Sequence, residues 1–253
     1  MSSAALRAAG VLLAIVTGAG GLRAQGEVQA GCPGSGECEA GAGGTVQSHT
    51  FFAENRNQWS PEVAFRTPLG QSRATLSADA LVLTQVARRP TDDGDFAWVG
   101  HNVCLRFLPR TSGNSGGPTW QGAEASATRV SWFHGKDPTR WVTDVPTWAS
   151  VRLAEVVPGI TVEVHGRHGL LEYDFVVEPG ARLEDLVVLV EGADLLTLGE
   201  DGSLRIVTQL GSILQAVPVA WELDEDGRRE PLGVTVLQVA SGRFGFEVAG
   251  RDL

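Results

Sequence analysis

The chain has 253 residues, 43% of them hydrophobic, and a formal charge of −10 at pH 7. That is too apolar for a disordered tail and long enough for one large all-β domain or two small ones. Acidity with one lysine, Lys136, argues against nucleic acid or an anionic membrane as a partner.

The chain opens with "MSSAALRAAGVLLAIVTGAGGLRAQG". Arg7, an apolar run over residues 11–16 and then small residues form the pattern of a secretory signal peptide, with cleavage after Ala24. The run is too short for a permanent bilayer span. Residues 1–24 carry Arg7 and Arg23 and no acid, so removing them makes the chain two charges more negative. The mature chain has no membrane-spanning run and is expected to be secreted, periplasmic or at the cell surface.

Residues 25–48 are rich in Gly and Ala, lack apolar periodicity and read as a flexible linker. Within them Cys32 and Cys38 flank "PGSGE", a loop that a local disulfide could close in an oxidising compartment. Cys104, in the alternating run "NVCLRFL", reads as a small core residue. The three cysteines are not spaced as metal-ligand pairs.

From residue 49 to 253 the pattern is β. The runs at 63–67, 73–77, 80–87 and 96–108 are short, apolar or alternating, and bounded by turn residues. Further runs follow "TVEVHG" and "LLEYDFVVE", with "GEDGS" (199–203) as a hairpin turn and "GARLEDLV" as one short helical turn. Turn signals about every ten residues predict an all-β antiparallel sandwich, either single or as two packed lobes divided near residue 150.

Between strands lies "SGNSGGPTW" (112–120), which matches the nucleophile motif of trypsin-like serine proteases at Ser115. Its partners do not fit. His49 sits at the linker's end, and Asp79 is too near Ser115 for the second barrel of such enzymes. The stretch reads as a Ser/Gly loop. Trp132, Trp141 and Trp148 cluster in a polar segment. On a sandwich surface they could stack on sugar rings, although large aromatics usually bury most of their area.

The stretch "ITVEVHGRHGLLEYDFVVEPGA" (160–181) is predicted to be a hairpin with its turn over residues 166–169. Alternation then puts Ile160, Val162, Val164, Leu171, Tyr173 and Phe175 on an apolar face. Thr161, Glu163, His165, Leu170, Glu172 and Asp174 take the other. In this register Glu163 lies opposite Glu172, and like charges there repel. An arginine such as Arg152, solvation, a bound calcium, or a shared proton at a glycosidase-like acid pair could offset it. Glu163, Glu172 and Asp174 are thus the candidate cation or ion-pair cluster. His168 falls at the turn, and a His165–His168 metal pair lacks a third ligand in reach.

Several motifs in one order resemble the N-terminal domain that precedes the propeller-type repeats of bacterial secreted SBBP-repeat proteins. They are "FFAENRNQWSPEVAFR" (51–66), "FHGKDP" (133–138), Trp141, "DVP" (144–146), "VVPGI" (156–160), "LEYDFVVEPGA" (171–181) and "EGADLLTLGEDGSLRIVT" (191–208). Asn57 stands where that pattern has glycine. The resemblance spans residues 51–253 and implies an extracellular β-module of unknown function. It supplies no catalytic or ligand residues. In that pattern a further strand and the repeats follow, so the chain reads either as a stand-alone version or as the N-terminal part of a longer repeat protein.

Together these features point to a non-enzymatic, secreted or surface module with a structural or interaction role. Its expected partner is an extracellular protein or glycan, and no cofactor is expected beyond calcium. The alternatives are a carbohydrate-binding module and a hydrolase using paired carboxylates.

Overall fold

A computed structural model describes residues 6–17, 50–70, 72–78, 80–110, 119–167, 170–224, 226 and 228–249. The strands, in chain order, begin with β1 (Leu6–Thr17), β2 (Phe52–Glu54), β3 (Val63–Leu69), β4 (Ser72–Ser77), β5 (Ala80–Pro90) and β6 (Phe96–Pro109). They continue with β7 (Trp120–Trp132), β8 (Val142–Val157), β9 (Ile160–Arg167), β10 (Leu170–Val177), β11 (Leu186–Glu191) and β12 (Leu195–Leu198). The last are β13 (Leu204–Thr208), β14 (Gly211–Gln215), β15 (Val219–Leu223), β16 (Arg229–Leu232), β17 (Val234–Ala240) and β18 (Arg243–Val248). Two 3-10 turns, Pro138–Arg140 and Leu183–Asp185, are the helical elements among the described residues. The second falls in "GARLEDLV", as predicted.

Every pairing is antiparallel. One sheet runs β2–β3–β4–β5–β6–β11–β18–β17. The other runs β8–β9–β10–β1. On the far edge of β1, β15 takes the first half and β14 the second, with β13 and β12 beyond β14 and β16 beyond β15. The long β8 ties the sheets together. It carries β7 on one edge and β2 and β9 on the other. Residue 150 lies inside β8, paired on both sides.

The sheets pack face to face and do not close into a barrel. Alternation builds the core: Ile160, Val162, Val164, Leu171, Tyr173, Phe175 and Val177 are all buried. Across the gap stands Phe107 of β6. Its ring meets Trp120 at 6.5 Å, Tyr173 at 5.6 Å and Phe175 at 6.0 Å, all edge-on. Phe175 continues to Phe246 of β18 at 5.1 Å. This chain of edge-to-face rings, the preferred geometry of aromatic pairs, joins the two layers.

The predicted hairpin at "GEDGS" is present. Leu198 pairs with Leu204, Gly199 N donates to Ser203 O at 2.7 Å, and Gly202 has φ +85°.

Candidate functional site

The hairpin β9–β10 has the predicted faces but not the predicted partners. Arg167 pairs with Leu170, His165 with Glu172, and Glu163 with Asp174. The register is displaced by two residues from the one alternation suggested, so Glu163 does not face Glu172. A displacement of two preserves which face each side chain takes while changing its neighbour, so the apolar pattern could not detect it.

The corrected register makes His165 central. It is half-buried, and its Nε2 lies 3.2 Å from Asp174 Oδ2. His165, Glu172 and Asp174 each offer one ligand atom, all within 4.8 Å of one another. Glu172 and Asp174 are buried. The hydrogen bond to Asp174 raises the His165 pKa above its ordinary value of 6.5, and the charges of Asp174, Glu172 and Glu163 add to this. Burial opposes it. Glu163 also has Arg152 of β8 directly across on its other side. Glu163 thus faces a cation on the β8 side and, on the β10 side, Asp174, which is bonded to His165.

One imidazole and two carboxylates suit a zinc-type ion better than calcium, which takes six to eight oxygens. A protonated His165 satisfies the same geometry as an ion pair. The third ligand that a histidine here seemed to lack is supplied by Glu172 and Asp174. Glu172 and Asp174 were candidates from alternation alone, but that His165 joins them depends on the turn length, which the apolar pattern does not encode.

The three tryptophans have different ring and hydrogen-bond partners. Trp132 meets Trp59 edge-on at 5.1 Å. Trp141 packs against Phe133 at 5.2 Å, and its indole N–H donates to Gly135 O at 3.1 Å. Trp148 is half-buried between Phe52 and Ala125, and its Nε1–H donates to Glu54 Oε2 at 3.4 Å. A Cβ on Gly122 would run into the Trp148 ring. Phe133 and Trp141, 65% and 39% exposed, form the one aromatic pair of this segment open to solvent among the described residues.

The opening motif "ENRNQW" is a tied loop. Asn55 Nδ2 donates to Ser60 O at 2.9 Å and Val63 O at 2.8 Å. Its Oδ1 accepts from Asn57 N at 3.1 Å and Trp59 N at 3.3 Å. Gln58 Nε2 donates to Glu54 O at 2.6 Å. Asn57 has φ +75°, a left-handed conformation that glycine takes freely and asparagine tolerates best among the rest. The loop borders a depression lined by Glu54, Asn55, Asn57, Pro61, Phe65 and Trp120.

Cys104 lies half-buried in β6. Cys32, Cys38, His49, Asp79, Ser115 and His168 lie outside the described residues, as does the linker over 25–48. No helix among the described residues is long and apolar enough to cross a membrane.

These observations define an antiparallel β-sandwich domain with an ion-paired polar face on its central hairpin. The chain belongs to a family described as a domain of unknown function, DUF7948, which matches residues 52–252. No curated protein and no solved structure matches it.

Proposed function

We propose that the chain is a secreted or cell-surface β-sandwich module with a structural or interaction role, of the kind that precedes SBBP repeats in bacterial secreted proteins. The observation that carries this reading is how the titratable groups on β9–β10 are held. His165 and Asp174 bond to each other on the outer face of a fully laddered hairpin, beside Glu172 and Glu163. A histidine and a carboxylate that bond to each other within a sheet face support a structural role for it. The paired-carboxylate form of the hydrolase alternative placed Glu163 opposite Glu172, and the register places Asp174 there instead. The apolar leader and the motif order support export.

Export is tested by expressing the full chain in a bacterial host with a C-terminal tag, fractionating the cells and sequencing the N-terminus. The expected product lies outside the cytoplasm and begins at Gln25. Intact full-length protein confined to the cytoplasm would sink the reading.

A second reading, glycan binding, is favoured by the exposed Phe133–Trp141 pair alone. Stacking on a sugar ring predicts a glycan-array signal that Trp141→Ala removes while the melting temperature holds. A blank array eliminates it.

A further inference from the structure

The segment that reads as a removable leader is also a strand of the sheet. β1 pairs with β10 along one edge, with Leu6 opposite Val177, Val11 opposite Tyr173 and Leu13 opposite Leu171. Along its other edge Leu6–Ala9 pairs with β15, and Leu13–Thr17 with β14. Among the described residues, β1 is the one strand that joins β12–β16 to the rest of the molecule by a ladder. The positions it meets across the register, Leu171, Tyr173, Phe175, Val177, Ile213 and Gln215, are all buried. Yet the family match begins at residue 52 and leaves β1 out. The domain therefore contains a strand-shaped slot whose occupant comes from outside the domain.

We infer that the slot between β10 and β14–β15 is a docking site for an extended apolar segment of a partner polypeptide, and that removal of the leader opens it. This rests on the export reading above. Taking out β1 leaves two facing strand edges with unpaired N–H and C=O groups over an apolar floor. A strand added from another chain satisfies both at once. The slot states what it accepts. The occupant is about a dozen residues long and antiparallel to β10, β14 and β15. It carries uncharged apolar residues at the positions of Val11, Leu13 and Ile15, which register with Tyr173, Leu171 and Ile213. The position of Arg7 registers with Val176 and Trp221, and so takes the face opposite to that of Leu6 and Ala8.

The test keeps the full chain. A protease site is placed within residues 25–48, and the folded protein is cut there. It is then incubated with excess fluorescein-labelled peptide of the Leu6–Thr17 sequence, and native mass spectrometry reads the exchange. The expected result is one labelled peptide per chain. A control peptide with Asp at the positions of Val11, Leu13 and Ile15 should be taken up about tenfold less or worse, since its carboxylates would be buried without partners. Where the leader leaves during export, the protein recovered outside the cell should bind the same labelled peptide directly.

Failure of that protein, still β-rich by circular dichroism, to take up the peptide overturns the inference and leaves export standing. Self-association that blocks uptake overturns it in favour of a second copy as occupant. An exported chain whose N-terminus is still Met1 or Ser2 overturns the inference and leaves export standing, because the slot is then filled permanently in cis.

Discussion

His165 shows how one side chain can carry a pH dependence. Its imidazolium is held by Asp174, with Glu172 and Glu163 nearby and Arg152 beyond Glu163. The folded pKa is raised, so the stabilisation is fully present below the ordinary value near 6.5 and is lost as pH rises through the folded value. The melting temperature should therefore fall more between pH 6 and pH 8 in the wild type than in His165→Gln. Parallel curves would show that the ion pair contributes nothing. Asn57 offers a second test. With φ +75°, Asn57→Gly should be neutral or slightly stabilising, whereas Asn57→Val should cost about 1–2 kcal/mol by denaturant titration. The glycine of the resembling pattern is thus explained by backbone conformation, a quantity that one sequence carrying asparagine does not display.

At the scale of elements, the β9–β10 hairpin was legible in its faces and illegible in its partners. Period-two alternation fixes the first and is blind to a displacement of two. β7 was not predicted as a strand. Its sequence "WQGAEASATRVSW" alternates small and polar residues, most of them exposed, so it carries no apolar stripe to read. The turn after β11 is held by close backbone approach. Gly192 has φ +81°, and a Cβ there would meet the carbonyl oxygen of Asn102. Gly192→Ala should therefore destabilise by about 2 kcal/mol or more, measured by urea unfolding. Between β10 and β14, the buried Tyr173 hydroxyl donates to Gln215 Oε1 at 2.7 Å, and Gln215 Nε2 has no partner among the described residues. Burial pushes the Tyr173 pKa well up, so the group stays a donor. Tyr173→Phe should cost about 1–3 kcal/mol by leaving the amide stranded. Adding Gln215→Met should recover most of that loss.

For the whole molecule, the fold class was readable because turn residues and alternation recur throughout, but sheet order was not. Which strand crosses to which layer depends on contacts such as Phe107 with Tyr173 and Phe175, far apart in sequence. Phe107→Ala removes the ring that touches three others across the layers. It should cost about 3–5 kcal/mol, read as a lowered denaturation midpoint. A loss under 1 kcal/mol would mean that the layers are held elsewhere.

The position of β1 also sets an order of events during synthesis. Leu6–Thr17 leaves the ribosome first, but β10 starts at Leu170, β14 at Gly211 and β15 at Val219. At about 5–20 residues per second, β1 waits roughly 10–40 s before both of its edges can be paired. Through that interval the segment is an unclaimed apolar tail, open to any apparatus that reads the N-terminus. This order makes β1 the first strand to be synthesised and among the last that can enter the sheet.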